Sequence, residues 1–125
     1  MDLDTYIDKK YVDSVIKFII ENNDKRIYFG FPRMAGKYLY NDGYFYGISG
    51  LLLQDYCSCK INPPTFSAED VWFANTLHSC IKEKNKKVPG SVNLNYMRLD
   101  STKIHHKNYD DKGIRLRLGR NAHEN

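Results

Sequence analysis

The chain has 125 residues, of which 42% are apolar and 14% aromatic, so it is long and apolar enough for one small folded domain and does not resemble a disordered chain. Its formal charge of +4 is mild, and residues 101–125 hold six Lys/Arg against three Asp/Glu, which suits anionic partners such as nucleotide diphosphates or nucleic acid. No signal peptide and no run near the length of a membrane span are present, so we expect no membrane segment and, by default, a cytoplasmic location.

Helix and strand patterns alternate in the first half of the chain. Apolar residues at helical spacing predict an amphipathic helix over residues 10–21: Val12, Val15, Ile16 and Ile19. Residues 26–31 predict a short strand closed by Pro32, and the basic, aromatic stretch 33–40 predicts a loop. Asn41-Asp42-Gly43 is a turn signal, and residues 44–48 predict a second strand.

The second half continues in the same way. Ser49 is the predicted cap of a short helix that reaches Tyr56, and Ser67 is the predicted N-cap of a longer helix. Four apolar residues anchor that longer helix: Phe73, Leu77, Cys80 and Ile81. It ends in a lysine-rich stretch that suits a solvated C-terminus, and residues 92–96 predict a strand. The chain is therefore α/β, with a polar tail over residues 119–125 that we expect to be disordered.

The cysteines do not form a zinc motif. Cys57-x-Cys59 is tighter than a usual zinc knuckle, and no second Cys/His pair completes it. With Cys80 the number of cysteines is odd. We therefore expect free buried thiols in a reducing compartment.

Two adjacent carboxylates, Glu69 and Asp70, lie just inside the start of the longer helix. A general base requires a rigid backbone element that holds its side chain and leaves the carboxylate open to the substrate. The alternative is structural, because Ser67-x-x-Asp70 is close to a capping box and acids in a first turn complement the helix dipole.

A second candidate site combines Asp2-x-Asp4 with His105-His106. Two carboxylates at a strand exit are hard-oxygen ligands for Mg²⁺ or Mn²⁺, and Mn²⁺ tolerates an imidazole as well. Adjacent histidines on an extended segment point to opposite sides, so at most one would face the metal. The alternatives are a solvated N-terminal turn and surface histidines in a basic tail.

In their order, these motifs resemble the catalytic half of GT-A-type glycosyltransferases, especially the galactosyltransferase/Fringe group. The resemblance covers about residues 2–107. It begins with D-x-D followed by Thr (Asp2-Leu3-Asp4-Thr5), an amphipathic helix and an aromatic-Gly strand (Tyr28-Phe29-Gly30). A glycine loop (Gly43-Tyr44-Phe45-Tyr46-Gly47-Ile48-Ser49), an E-D-V motif (Glu69-Asp70-Val71) and a late histidine follow. Phe45 stands where the family usually has a second glycine, and the connection from Gly30 to Gly43 is short.

The resemblance implies a partial Rossmann-like GT-A domain over residues 1–118 that starts on the metal motif, with the N-terminal nucleotide-binding half absent. It implies an Mn²⁺- or Mg²⁺-dependent, inverting transfer of a sugar from a UDP-sugar to a glycan or protein hydroxyl. Asp70 would be the base, Glu69 would orient the acceptor, and Gly43, Tyr44, Tyr46 and Gly47 would contact the donor sugar. The family is often located in the Golgi lumen. We expect the isolated chain to be inactive and to need a separate N-terminal half.

Two other interpretations stay open. The chain is either an inactive or partner-dependent remnant of such an enzyme, or a small nucleic-acid-binding module. The second would use the basic tail to track phosphates, with Tyr109 interleaved among the cations Lys107, Lys112, Arg115, Arg117 and Arg120. We rank nucleic-acid binding last.

Overall fold

The computed structural model describes residues 5–35, 38–61, 68–109 and 116–118. These residues form a mixed α/β structure with small sheets and three helices. The elements are β1 (Thr5–Ile7), α1 (Lys9–Glu21), β2 (Arg26–Gly30), β3 (Pro32–Ala35), β4 (Tyr38–Asn41), β5 (Gly47–Ile48), α2 (Gly50–Cys57), α3 (Glu69–Lys87), β6 (Leu94–Arg98), β7 (Ile104–Tyr109) and β8 (Leu116–Leu118). The predicted tail over residues 119–125 lies outside the described residues.

A three-stranded sheet in the order β5-β2-β6 forms the centre of the fold. β2 pairs parallel to β6 and antiparallel to β5, and Tyr28 lies opposite both Tyr96 and Ile48. The parallel pair requires a long crossover, and α2 and α3 lie within it. The main buried cluster follows from this arrangement: Tyr28, Leu52, Ala74, Leu77, Ile81 and Val92.

A second sheet, β1-β7-β8, joins the two ends of the described chain. β1 and β7 are antiparallel, and Ile7 lies opposite Ile104. Ile104 belongs to the second buried cluster, together with Val15, Phe31, Tyr44 and Leu99. The helix α1 therefore contributes Val15 to a core that both chain ends share.

The predicted loop over residues 33–40 is wrong. β3 and β4 form an antiparallel hairpin in which Met34 lies opposite Leu39. β4 packs on α3, and His78 of α3 binds the carbonyl oxygen of Leu39 at 3.1 Å. The hairpin is thus held by tertiary contacts that local sequence does not show.

The two long helices confirm the periodicity analysis in part. In α3, Leu77, Cys80 and Ile81 are buried as predicted, but the N-cap is Ala68, one residue after the predicted Ser67, and its side chain makes no cap hydrogen bond. In α1 only Val15 is buried, and Ile16 is 50% exposed. Among the described residues no helix is long and apolar enough to cross a membrane.

The expectations for Ser49 and the cysteines need correction. Ser49 occupies the N-cap of α2 but makes no side-chain cap bond. Its buried hydroxyl instead accepts from the Ile27 N–H at 2.9 Å and donates to the Lys25 carbonyl at 2.8 Å. Cys59 and Cys80 form a disulfide that ties the end of α2 to α3, and only Cys57 is a free thiol, exposed at the surface.

Candidate functional site

Asp70 is held by backbone N–H groups from two parts of the chain. Its Oδ2 accepts a hydrogen bond from the Gly43 N–H at 2.9 Å, and its Oδ1 accepts from the Val71 N–H at 2.9 Å. The first bond crosses 27 residues of sequence and joins the turn after β4 to the first turn of α3. Hydrogen bonds to an ionised carboxylate are stronger than neutral ones, so the carboxylate of Asp70 has a defined orientation.

Glu69 is paired with Tyr46. The Tyr46 hydroxyl donates to Oε1 of Glu69. Burial, and then the bond and charge of Glu69, raise the pKa of Tyr46 well above its ordinary value. The phenol of Tyr46 therefore keeps its proton throughout the neutral range and donates a hydrogen bond to Glu69.

Tyr28 packs against residues that neighbour this acidic pair. It is fully buried, and its ring meets those of Tyr46 and Phe73 edge-on at centroid distances of 6.4 and 5.9 Å. Its hydroxyl accepts from the Asn41 N–H at 3.1 Å. Burial, with a smaller contribution from the negative charges of Asp70 and Glu69, raises the pKa of Tyr28 to about 12. Tyr28 is thus a buried, neutral ring that packs against Tyr46, the residue bonded to Glu69.

The glycine loop lies against the same site. A Cβ at Gly43 would lie 3.2 Å from Oδ2 of Asp70, and a Cβ at Gly47 would run into the ring of Phe29. Tyr44 is 7% exposed and stacks on Phe31 with centroids 4.9 Å apart. In this structure the ring of Tyr44 therefore packs in the core, and its expected contact with a donor sugar stays a prediction.

The late histidines lie on β7, next to the strand that follows the D-x-D motif. Tyr6 lies opposite His105, and Thr5 lies opposite His106. The buried Thr5 hydroxyl donates to the Tyr44 carbonyl at 3.0 Å, which links β1 to the glycine loop. β1, the glycine loop and the late histidines are therefore neighbours.

The ring of His105 is held by a hydrogen bond through Nδ1. Its Nδ1 lies 3.2 Å from the Ser101 carbonyl, which can only accept, so Nδ1 carries the proton. Its Nε2 is buried and has no hydrogen-bond partner among the residues that the structure describes, while the ring stacks on Tyr6 at 4.8 Å. A histidine fixed through Nδ1–H to a backbone carbonyl is the usual arrangement of a metal ligand.

The predicted metal set cannot be assembled within the described part of the chain. Asp2 and Asp4 lie outside it, as does the side chain of His106. The described residues contain no group of three or more His, Cys, Asp or Glu side chains that could hold a metal ion.

Sequence reasoning missed two residues that shape the site. The sequence predicted that Tyr28 lies on a strand but not that it packs near the acidic pair. Thr5 was identified only as the residue that follows D-x-D. The continuous apolar run from Ile27 to Phe29 was the available signal for Tyr28, since such a run is typical of a strand covered on both faces. The bond from Thr5 to Tyr44 spans 39 residues and has no local signal.

No protein-family model, no curated protein and no solved structure matches this chain. The inference of function therefore starts from the geometry of the site and the order of the motifs.

Proposed function

We propose that the chain is the C-terminal catalytic part of a GT-A-type, metal-dependent, inverting glycosyltransferase. One observation carries this proposal. Motifs spread over 100 residues of sequence are linked in pairs: Thr5 with Tyr44 and with His106, Gly43 with Asp70, and Tyr46 with Glu69. A set of chance matches would have no reason to be linked in this way.

Asp70 is the proposed general base. Both of its oxygens accept backbone hydrogen bonds, which fixes the carboxylate, and it lies on the first turn of a packed helix. As the acceptor hydroxyl attacks the anomeric carbon, its proton passes to a carboxylate oxygen of Asp70. A single base and direct in-line attack imply inversion of configuration. Glu69, exposed and bonded to Tyr46, orients the acceptor.

The metal proposal is Mn²⁺ or Mg²⁺ held by Asp2, Asp4 and one of His105 or His106. The buried Nε2 of His105, which has no partner within the described part of the chain, supports this role, because the ring is held through its other nitrogen. When bound, the ion supplies Lewis-acid stabilisation of the departing diphosphate. The donor is then a UDP-sugar and the acceptor a carbohydrate or protein hydroxyl, with the uridine site supplied by a separate N-terminal half.

The Cys59–Cys80 disulfide supports a proposal about the compartment. Structural disulfides form and persist in oxidising compartments and are rare in the cytosol. We therefore favour the secretory pathway, where the resembling family is often found, over the cytoplasmic default.

A Mn²⁺ titration followed by calorimetry tests the metal half of the proposal. Wild-type protein should give a binding isotherm that Asp4→Ala abolishes, whereas Asp24→Ala, which changes an exposed acid after α1, should leave it intact. Identical isotherms for wild type and Asp4→Ala would remove the metal site from the proposal.

Turnover tests the catalytic half. The chain is supplied with the N-terminal half of a family member and Mn²⁺ and is offered a panel of UDP-sugars with glycan and peptide acceptors. Transfer with inversion is expected. Mn²⁺ binding without turnover on any pair would favour the inactive remnant instead.

A further inference from the structure

The C-terminal end of α3 carries four lysines within six residues: Lys82, Lys84, Lys86 and Lys87. Lys84, Lys86 and Lys87 occupy the last turn, where positive charge complements the helix dipole. Lys82 lies before the last turn, and it shares a helix face with Lys86 at i, i+4 spacing. Dipole compensation alone therefore does not account for the whole set.

Two shallow depressions meet at Lys87. One, of about 580 Å³, is lined by Ser79, Lys82, Glu83, Lys86 and Lys87. The other, of about 310 Å³, is lined by Arg26, Asp55, Lys84, Lys87, Val88, Ser91 and Val92. Both depressions are lined by Lys87, and we call their combined lining at the end of the helix the α3 basic surface.

This surface has a local excess of positive charge. Five cations line it against two carboxylates, Glu83 and Asp55. Asp55 forms an ion pair with Arg26, with 2.5 Å between Oδ2 and Nε. Oε1 of Glu83 lies 4.0 Å from Nζ of Lys87, and both of these side chains are well exposed. An exposed pair at that distance neutralises little. Lys82, Lys84 and Lys86 make no ion pair with any residue that the structure describes.

We propose that the α3 basic surface binds a linear sulfated polysaccharide. Several cations along an open surface suit a ligand with repeated charges better than a single small anion, and basic clusters of this kind are a known signature of heparin-type and nucleic-acid binding. No aromatic side chain lines either depression among the described residues, so unpaired bases would find no ring on which to stack. That difference favours the sulfated sugar over single-stranded nucleic acid.

The surface is separate from the acidic pair. α3 has 19 residues, so its last turn lies roughly 25 Å from Glu69 and Asp70 at 1.5 Å per residue. The inference therefore does not depend on the proposed transferase chemistry, and its failure would leave that proposal unaffected.

Calorimetric titration of the full chain with a heparin oligosaccharide tests the surface. The double variant Lys82→Gln/Lys86→Gln should bind roughly tenfold more weakly and should lower the slope of log K against log salt concentration by about two. The control Lys9→Gln/Lys10→Gln removes the same charge from exposed positions on α1 and should bind within about twofold of wild type. Circular dichroism verifies that both variants fold.

Three outcomes would overturn the inference. Equal weakening in both double variants would show a response to net charge alone. Tighter binding of a single-stranded oligonucleotide, or of vesicles rich in anionic lipid, that depends on Lys82 and Lys86 would assign the surface to those partners. Undiminished binding of a desulfated oligosaccharide would show that sulfate is not recognised.

Discussion

The backbone N–H of Gly43 donates a 2.9 Å hydrogen bond to Oδ2 of Asp70, and this bond fixes the glycine loop to the acidic pair. Residue 43 has to be small, because a Cβ there would lie 3.2 Å from that oxygen. The glycine expected from the motif to approach a donor sugar therefore has a second role that the structure makes visible: it positions the carboxylate.

Gly43→Ala should move Asp70 by a few tenths of an ångström and weaken the bond, at a cost of about 1 kcal/mol in the free energy of unfolding. Gly50→Ala is the matched control, because a Cβ at Gly50 meets nothing within 4 Å and the substitution lies at the start of α2. That control should stabilise the protein by roughly 0.5 kcal/mol. Thermal melts and the amide shift of residue 43 measure both effects, and equal melting temperatures for the two variants would contradict the contact.

The sequence predicted the elements whose own residues define them. Val15 in α1 and Leu77 and Ile81 in α3 are buried because an apolar stripe at helical spacing has to face a core. The strand from Arg26 was predicted almost to the residue, since β-branched and aromatic residues end at a glycine and a proline.

What the sequence did not predict depends on distant partners. The hairpin β3–β4 was missed because its residues do not alternate clearly, and β4 is supported by His78 on α3. Ser49 was expected to cap α2, but its hydroxyl bridges Lys25 and Ile27. The acidic pair and the glycine loop were both identified as candidate site residues, whereas their hydrogen bond across 27 residues could not be foreseen.

Tyr28 should make the protein sensitive to alkali. Its folded-state pKa is raised to about 12 from an ordinary value of 10, chiefly by burial. Between those values the unfolded chain loses the phenol proton while the folded chain keeps it, so stability is fully present below pH 10 and falls as the pH rises through 12.

Tyr28→Phe tests this dependence. The variant should lose about 1–3 kcal/mol at neutral pH, because the Asn41 N–H loses its buried acceptor. The decline in stability above pH 10 should become shallower, without vanishing, because the pKa values of Tyr46 and Tyr96 are also raised. Denaturant unfolding at a series of pH values measures the free energy of unfolding of both proteins. If that free energy falls equally steeply above pH 10 in wild type and in Tyr28→Phe, Tyr28 is not a source of the alkali sensitivity.

Reduction of the Cys59–Cys80 disulfide should destabilise the fold. The bridge closes a loop with a sequence separation of 21, and a loop of that length contributes about 3 kcal/mol by restricting the unfolded chain. Unreduced native protein should take up one equivalent of an alkylating reagent, at the exposed Cys57, and Cys57→Ser should take up none. Three reactive thiols in the unreduced protein would instead support the expectation of free cysteines.

The exposed face of α1 should drive self-association of the isolated chain. Ile16 and Ile20 share a face of α1 at i, i+4 spacing and are 50% and 65% exposed, and Phe18, on another face, is 47% exposed. Exposed apolar residues of this size attract other apolar surface. We expect binding of an apolar dye and concentration-dependent association, both reduced in Ile16→Lys/Ile20→Lys. Analytical ultracentrifugation measures the association, and a monomeric wild type with a sharp, reversible melt would speak against this expectation.

Asp70→Asn tests the central claim most directly. The amide oxygen of Asn can still accept from the Gly43 N–H, so the shape of the site is kept and the unfolding free energy should fall by only about 1 kcal/mol. If the proposal holds, loss of the proton acceptor should lower sugar transfer by about 10²–10⁴-fold in the turnover assay described under the proposed function. Glu69→Gln, the neighbouring isosteric change, should lower it less. Unchanged transfer in Asp70→Asn, with only a lowered melting temperature, would show that Asp70 stabilises the start of α3 and is not the base.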